Sequence, residues 1–514
     1  MAHLDANAGV PLARPALAAW LVAASAPADA AVARTTAAAL ARDIARECRF
    51  ELENAADENS YAAAWTAGGG EANCALVTGA VRRYAAATQR LPHVVTCAGS
   101  PASVLACCRA LAAERACELT VLPIGRDGAL LGRVDPARVG AALRENTCLV
   151  TISAANADTG AVNDLRAIVA AVRTGTAAML RAAELARAGP PSQMVRTHRS
   201  EPVRRSDSAG RSESAGRSET HTQAETHAQA KTHTQAETHT QAKRRVRPLP
   251  AYRVPVHSDV SQLIGRLPFL PAIVGLDAWS TAFTTLGGPP GLGLLCVRRQ
   301  FATGYGLAPY IGGADAGSFC GTSIDDLAPA LAAAAEAWRA PRPPPREVAA
   351  ARDALAGALC QFYYDECPAD PPPSLDGRQA PRPPRHRGSA AGAAAAEAAD
   401  AGGPAAVYWV AATGAAKDAA PKDAAAKDAA APATQLPNTL LLAVRRPDFC
   451  AEAARRELAR RGITVGRASA ATVAALDAPA ALRRGLLRIS LSGAAPPSSD
   501  TVAAIKKVIG GPKK

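Results

Sequence analysis

The chain has 514 residues, 48% of them hydrophobic, and a formal net charge of +13. This length allows two to four domains or one large α/β unit, and the apolar fraction is ample for a core. The densest basic cluster, 243-KRRVR-247, has no interleaved aromatic residues, which argues against a surface that binds nucleic acid. All nine lysines lie in low-complexity tracts or at the C-terminal end.

The twelve cysteines include no C-x-x-C pair, so their pattern favours buried thiols over disulfides or a zinc site. The N-terminus lacks the basic start and apolar run of a signal peptide. No stretch of about 20 apolar residues predicts a membrane span. We therefore expect a cytoplasmic protein, without a metal site, that binds neither nucleic acid nor membranes.

Short apolar runs alternate with amphipathic stretches along much of the chain. The predicted strands are 93–97, 118–123, 148–153, 254–257, 273–276 and 293–297, and the predicted helices among them are 101–114, 135–144 and 161–173. Asp135 followed by Pro136 is a favourable helix start. This alternation, with nearly continuous apolar strands, predicts an α/β fold with a doubly wound, mostly parallel sheet.

Two polar, repetitive segments interrupt the pattern and contain too few apolar residues to order themselves. The first carries histidines at six-residue spacing, which we interpret as tandem expansion in preference to a metal site. The pattern divides the chain as follows: a large domain in two parts, 1–189 and 251–345, disordered inserts at 190–250 and 366–436, a helix at 346–365, and a small α+β lobe at 437–514.

Three polar groups occur where such sheets bind ligands, at strand ends and helix starts. In 66-TAGGGEAN-73, glycines precede a predicted helix, which suits a phosphate or a simple tight turn. In 257-HSDVSQLIGR-266, Asp259 and Gln262 suit a protonated ring nitrogen and a neighbouring oxygen, or a helix cap. Arg488, inside an apolar strand, requires a carboxylate from a ligand or from a structural salt bridge.

The segment 277-DAWSTAFTTLGGPPGLGLLCVRRQ-300 predicts a strand, a glycine- and proline-rich turn and a second buried strand. Such a loop brings bare backbone close to a ligand, and a reactive side chain usually stands at its entrance. Here the entrance carries Thr284 and Thr285, and neither is a strong nucleophile or base.

Nine sequence blocks, taken together and in order, resemble the class V, fold-type I pyridoxal-phosphate enzymes, specifically the cysteine desulfurases and selenocysteine lyases. The blocks are LDANAGVPL, TAGGGEAN, HVVTC, LVTISAANADTG, VHSDVSQLIGR, LDAWSTAFTTLGGPPGLGLLCVRR, GGADAGSFCGT, LPNTLLLAV and LRISL. The resemblance extends over essentially the whole chain outside the two inserts. The resemblance implies the PLP-transferase type I fold, a pyridoxal phosphate cofactor and a dimer.

The resemblance also assigns roles to single positions. Six of them correspond to residues that hold the cofactor: Gly69 and Gly70 at its phosphate, Asp259 at the pyridine nitrogen, Gln262 at the ring hydroxyl, Asn156 in the family's Asn-Asn-Glu-x-Gly block, and Thr322, which reaches the phosphate bound in the second subunit of the dimer. Arg488 corresponds to the arginine that binds the substrate carboxylate.

The family's catalytic side chains are missing at the matching positions. The Schiff-base lysine of its Ser-x-His-Lys loop corresponds to Thr285, the ring-stacking histidine to Pro101, and the nucleophilic cysteine to Ser469. Without the lysine there is neither a covalent link to the cofactor nor a general base. A serine hydroxyl, with its high pKa, cannot attack a substrate sulfur. We therefore expect no catalytic residues.

Three interpretations follow. The one we favour is a catalytically inactive homologue that keeps the fold, holds its cofactor non-covalently or has lost it, and forms a homodimer or a heterodimer with an active paralogue; an amino acid remains a candidate ligand. The others are an active cysteine or selenocysteine C–S(Se) lyase with relocated chemistry, and a decaying homologue without function. The side chains of Trp279 and Phe283 are the candidates for filling the pocket around Asp259.

Overall fold

The computed structural model describes residues 2–26, 29–54, 56–57, 59–125, 130–188, 253–304, 323–366, 406–409, 435–445, 449–476 and 484–510. Thr322, expected at the phosphate of the second subunit, and most of both predicted inserts lie outside these ranges. The described residues up to Arg181 and those from Arg253 onward form one compact unit. Among the described helices, none combines the length and the hydropathy required to cross a membrane.

Seven strands form the large sheet, in the order β2-β8-β7-β6-β5-β3-β4. They are β2 (Tyr61–Thr66), β3 (His93–Cys97), β4 (Glu118–Leu122), β5 (Thr147–Thr151), β6 (Val256–Asp259), β7 (Ala278–Ala282) and β8 (Gly293–Arg298). Pairings from β4 to β7 are parallel, and β8 runs antiparallel to both of its neighbours. The prediction of an α/β fold with a mostly parallel sheet is confirmed.

Helices accompany this sheet along the chain. They are α1 (Arg14–Ser25), α2 (Ala30–Cys48), α3 (Gly69–Thr88), α4 (Ala102–Ala113), α5 (Pro136–Ala141), α6 (Leu165–Ala188), α7 (Pro271–Val274), α8 (Arg299–Gly304) and α9 (Ala328–Arg339). All five residues of β3 and of β5 are buried, as expected for strands covered on both faces.

Local capping explains where two of the predicted helices begin. The Asp135 carboxylate accepts the backbone N–H of Ala137 at 2.9 Å, so α5 starts at the expected place. The helix expected from residue 161 instead starts at Leu165, because the Asp164 side chain accepts the N–H of Ala167 at 2.9 Å. This aspartate acts as the cap that the apolar pattern alone does not reveal.

One predicted strand is wrong. Residues 273–276 do not extend the sheet, since Val274 ends the short helix α7. Pro271 stands at the first helical position, and Gly275 ends the helix in the left-handed region at φ +83°. The neighbouring strand β7 begins only at Ala278.

A second sheet of five strands has the order β1-β11-β12-β10-β9. Its strands are β1 (Ala2–Leu4), β9 (Ala406–Trp409), β10 (Thr439–Arg445), β11 (Ile463–Arg467) and β12 (Leu486–Ser490). Four helices accompany it: α10 (Pro345–Glu366), α11 (Ala451–Arg460), α12 (Ala470–Ala475) and α13 (Ser499–Gly510).

Two strands of this sheet come from unexpected parts of the chain. The strand β1 belongs to the residues predicted for the large domain, yet it pairs in parallel with β11. The strand β9 lies within the insert predicted as disordered at 366–436, and its four apolar residues pair antiparallel with β10. Both strands are only three or four residues long, so their sequence pattern does not predict them, and each is stabilised by backbone pairing with another strand.

Candidate cofactor and substrate site

Asp259 ends β6 at the edge of the large sheet where its parallel strands terminate. One carboxylate oxygen accepts the Asn73 side-chain amide of α3 at 2.7 Å, and the other accepts the backbone N–H of Ser261 at 2.9 Å. Burial raises the pKa of Asp259, and the hydrogen bonds from Asn73 and Ser261 oppose that rise without cancelling it. Both carboxylate oxygens therefore already have partners within the chain.

A chain of buried hydrogen bonds leads from Asp259 across three strands. The Ser280 hydroxyl donates to the Asn73 carbonyl oxygen at 2.6 Å, so it accepts from His257 Nε2 at 3.0 Å. His257 Nδ1 is then the acceptor for the Thr151 hydroxyl at 2.8 Å. The imidazole is neutral in this arrangement, and burial lowers the pKa of His257 to about 3.

Trp279 and Phe283 do not fill the space beside Asp259. In the register of β6 with β7, Asp259 pairs with Ser280, and Trp279 pairs with Ser258. Because side chains alternate along a strand, Trp279 lies on the opposite face of the sheet, where it packs against two phenylalanine rings. Phe283 packs against the Trp65 ring on β2, with ring centroids 5.8 Å apart.

The glycine segment lies at the N-terminus of α3, next to the end of β7. The helix begins at Gly69, and Gly70 follows in its first turn. A Cβ on Gly69 would lie 3.0 Å from Ala282 Cβ, and Gly68 has φ +150°, so both positions favour glycine. The Glu71 carboxylate accepts the backbone N–H of Ala67 at 2.5 Å, which places an acidic side chain at the start of the helix.

Gln262 is hydrogen-bonded at both ends of its amide. Its Nε2 donates to the Asn7 backbone carbonyl at 2.9 Å, and its Oε1 accepts from Arg266 at 2.5 Å. Arg266 also donates to the Asn7 side chain at 3.0 Å and to the Thr285 carbonyl at 3.4 Å. Burial, together with repulsion by Arg488, lowers the pKa of Arg266 to about 10.

Thr285 lies in the 3₁₀ turn Phe283–Leu286 that follows β7. Its side chain is buried, and its hydroxyl donates to the Ser261 carbonyl at 2.7 Å and to the Ala282 carbonyl at 3.1 Å. The loop thus keeps the strand, turn and strand expected for 277–300. At the position that corresponds to the family's lysine, the side chain stabilises the turn.

Arg488 on β12 is held by two carboxylates of the chain. Its Nη2 donates to Asp5 at 2.7 Å and its Nη1 to Asp158 at 2.6 Å. Asp158 also accepts the backbone N–H of Ser469 at 3.0 Å and the Thr472 hydroxyl at 2.6 Å. Of the two alternatives open from sequence, the described contacts correspond to a structural salt bridge.

The remaining predicted positions have local structural roles. Asn156 accepts two backbone N–H groups of the following turn and donates to the Gly99 carbonyl at 3.0 Å. Ser469 caps α12 by accepting the N–H of Thr472 at 3.2 Å. Pro101 occupies the N-cap position of α4 and offers no side-chain hydrogen bond.

The structure links Asp259, Gln262 and Thr285 through hydrogen bonds of Ser261 and Arg266. Asn156 and Arg488 meet at Asp158. Four further residues take part in these hydrogen bonds and were not predicted, although each lies within a quoted sequence block: Asp5, Asn7, Asn73 and Arg266. In the described part of the chain, no group of three or more His, Cys, Asp or Glu side chains could hold a metal ion.

The matches of this chain to known proteins agree with one another. Residues 16–183 match the family model "Aminotransferase class-V". The NifS-like protein of African swine fever virus (isolate Tick/South Africa/Pretoriuskop Pr4/1996) is 38% identical over 117 residues, 23% of this chain and 29% of the relative. The cysteine desulfurase IscS of Anaeromyxobacter sp. (strain Fw109-5) is 34% identical over 128 residues, 25% of this chain and 30% of the relative. These alignments span less than a third of either relative.

Similarity in fold extends over the whole chain. A solved structure described as a NifS-like protein has a TM-score of 0.60 at 15% identity, covering 99% of this chain and 98% of the other. The cysteine desulfurase CsdA from Escherichia coli has a TM-score of 0.56 at 14% identity, covering 99% and 93%. The expected PLP-transferase type I fold is therefore confirmed.

Proposed function

We propose that this chain is a catalytically inactive, cysteine desulfurase-like member of the class V aminotransferase family, which its family-model match and its curated relatives support. The step that we propose is missing is the covalent linkage of a lysine amine to the cofactor. The fold itself is retained. The protein would then act by binding a second subunit and not by catalysing a reaction.

Thr285 is the observation that carries this proposal. Its hydroxyl is buried and donates to two backbone carbonyls, so it is neither a nucleophile nor a proton acceptor. The only lysines in the described part of the chain are Lys506 and Lys507, on α13. That helix contacts α10 and α11 of the small lobe. Among the described residues, no lysine amine therefore lies at Thr285 to form a covalent link to a carbonyl cofactor.

Arg488 supports the same proposal from the substrate side. A free guanidinium binds a carboxylate through paired, charge-assisted hydrogen bonds. Here Asp5 and Asp158 already supply two carboxylates to it, at 2.7 and 2.6 Å. An amino-acid substrate would have to displace one of them, and the displaced carboxylate would lose its partner in a largely buried site.

The residues around Asp259 fit pyridoxal phosphate only in part. An acidic side chain stands at the end of β6, and a glycine segment opens α3, as a phosphorylated pyridine would require. The lysine is absent, the Asp259 and Gln262 side chains are hydrogen-bonded within the chain, and Pro101 offers no aromatic ring to stack on. Covalent attachment does not fit, and we propose a cofactor that is bound non-covalently or has been lost.

Covalent labelling tests the proposal. The purified full-length protein is incubated with pyridoxal phosphate, treated with borohydride, and examined by intact mass and peptide mapping, beside an active cysteine desulfurase as positive control. We expect the reduced cofactor to be attached covalently to one lysine of the control. In this chain we expect no lysine to carry it stoichiometrically. Stoichiometric labelling of one lysine would contradict the proposal, because it would reveal a relocated amine.

The proposed mode of action is pairing, as a homodimer or as a heterodimer with an active paralogue. Sedimentation of the full-length protein, alone and mixed with an active relative, tests this part separately. A dimer in either sample is expected. A monomer in both samples would refute the pairing while leaving the absence of catalysis to the labelling experiment.

A further inference from the structure

Two thiols face each other where α3 packs against α4. Cys74 and Thr78 lie one turn apart on α3, and Ser103 and Cys107 lie one turn apart on α4. Cys74 Sγ is 3.9 Å from the Ser103 carbonyl oxygen, and the Thr78 hydroxyl is 3.5 Å from Cys107 Sγ. Each thiol therefore contacts the opposite helix at a position one turn away from the other thiol. Cys74 and Cys107 are both free cysteines, so this pair is a dithiol.

The contacts of the pair distinguish its two members. The hydrogen bond from Cys74 lowers the pKa of Cys107, and the Thr78 hydroxyl lowers it further. The same hydrogen bond, together with burial, raises the pKa of Cys74. The contacts agree with this difference, because the Ser103 carbonyl accepts from the Cys74 thiol, whereas the Thr78 hydroxyl can donate to Cys107 Sγ. Since the thiolate is the attacking species, Cys107 is the better placed nucleophile and Cys74 the thiol that reacts second.

Both members are accessible, in contrast to their neighbours. Cys74 and Cys107 are half-buried, whereas Cys108 on the same helix is buried. Burial raises the pKa of Cys108 to about 12 and that of Cys117 to about 11. A small reagent in solution can therefore reach Cys107, with the Cys74 thiol nearby. The neighbouring Cys108 and Cys117 thiols are protonated and therefore unreactive.

We propose that Cys74 and Cys107 are a reversible redox pair that exchanges with small-molecule disulfides such as oxidised glutathione. The Cys107 thiolate attacks one sulfur of the disulfide, forms a mixed disulfide and releases one thiolate. Cys74 then gives up its proton, attacks the Cys107 sulfur and releases the second thiol. Two protein thiols are oxidised to one protein disulfide, and one small disulfide is reduced to two thiols.

The disulfide would join α3 to α4 directly beside the candidate site. Asn73, the neighbour of Cys74, donates to the Ser103 hydroxyl at 3.0 Å and to Asp259 at 2.7 Å. Oxidation would thus link α3, whose Asn73 donates to Asp259, to α4, whose Ser103 accepts from Asn73. The dithiol shares no residue with the segment 277–300, so its oxidation does not depend on the proposed lack of catalysis.

The test is equilibration of the full-length protein in glutathione buffers of increasing oxidised-to-reduced ratio. After alkylation of free thiols, peptide mapping is expected to show a Cys74–Cys107 linkage that grows with the ratio and is lost on adding reductant. The Cys74→Ser variant is expected to retain glutathione on Cys107, and the Cys107→Ser variant to form neither product at this site. Cys450→Ser, at another half-buried cysteine, is the matched control and should leave the linkage unchanged.

Three results would overturn the proposal. One is the absence of the linkage at ratios that attach glutathione to other cysteines. Another is a linkage of Cys107 to Cys108 or Cys117 in place of Cys74. The third is a folded Cys74→Ser variant that carries no glutathione on Cys107. If a variant fails to fold, the map of the unsubstituted protein still decides, because the linkage requires no substitution.

Discussion

At the scale of single residues, the positions that resemble a catalytic site are used to hold the fold. Thr285 closes a turn, Ser469 caps a helix, and Arg488 joins two carboxylates. Each side chain satisfies backbone groups or charges that would otherwise be buried without partners. These roles can be measured as stability, independently of any activity.

Removing the Thr285 hydroxyl is expected to destabilise the protein. Thr285→Val leaves the Ser261 and Ala282 carbonyls without this donor, which should lower the free energy of unfolding by about 1–2 kcal/mol in denaturant titrations. Thr284→Val is the matched control, since the described contacts include no hydrogen bond from its hydroxyl, and it should change stability by less than about 0.5 kcal/mol. Equal effects of both substitutions would refute a structural role for Thr285.

Breaking the Arg488 cluster is expected to have a larger effect. Arg488→Met leaves Asp5 and Asp158 without their shared cation in a largely buried site, which should cost about 3–5 kcal/mol of unfolding free energy. Arg467→Met is a control, because Arg467 is 56% exposed and its solvent-screened pairing with Glu452 should contribute little to stability. A loss for Arg488→Met no larger than that of the control would show that the cluster is not a structural salt bridge.

Stability is expected to fall as the solution is acidified below about pH 6.5. Burial lowers the pKa of His257 to about 3, whereas an unfolded histidine titrates near its ordinary value of about 6.5. Between these values the unfolded chain binds a proton that the folded chain does not. This stability is therefore present above the unfolded pKa and is lost by about 1.4 kcal/mol per pH unit as the pH falls toward the folded pKa.

Unfolding titrations between about pH 6 and pH 4.5 measure this slope. His257→Gln removes the titrating group, so its stability should depend less steeply on pH than that of the unsubstituted protein. An unchanged slope would contradict the assignment of a neutral imidazole hydrogen-bonded to Thr151 and Ser280.

Sequence located some members of the site but not their partners. Asp259 and Gln262 could be identified because they follow a buried strand, where ligands of parallel sheets bind. The pairing of Asp5 with Arg488 could not, because these residues are 483 positions apart. Whether Arg488 meets a ligand or an internal carboxylate depends on tertiary structure, which the local pattern does not contain.

At the scale of elements, apolar runs predicted most strands of the large sheet to within a few residues. The strands β3 and β5 are buried on both faces, so their composition alone is distinctive. The error at 273–276 has a local cause: a four-residue apolar run fits a helix as well as a strand, and Pro271 and Gly275 decide in favour of the helix.

The contact between the glycine segment and β8 is expected to tolerate no side chain. A Cβ on Gly293 would lie 2.6 Å from the Gly68 carbonyl oxygen, so Gly293→Ala should cost about 1–3 kcal/mol of unfolding free energy. Gly70→Ala is the matched control: its nearest neighbour would be Ser103 Cβ at 3.8 Å, and alanine in a helix should stabilise by about 0.5–1 kcal/mol. Destabilisation by Gly70→Ala and none by Gly293→Ala would contradict this packing.

At the scale of the whole molecule, the N-terminal segment connects the two sheets. The strand β1 pairs in the small sheet, and Asn7, three residues later, hydrogen-bonds to Gln262 next to the large sheet and to Thr439 on β10. The described strands of both sheets thus belong to one PLP-transferase type I fold, and the described polar side chains of the candidate site are hydrogen-bonded within the chain. Under the proposed function, the position expected to carry the catalytic amine is occupied by Thr285, whose described contacts are structural.

Turnover is the measurement that tests this account most directly. The purified full-length protein is incubated with excess pyridoxal phosphate and L-cysteine, or L-selenocysteine, and alanine is quantified against a protein-free blank and an active cysteine desulfurase. We predict alanine formation equal to the blank at every protein concentration, because Thr285 supplies no amine. Alanine formation that rises in proportion to the protein would contradict the account.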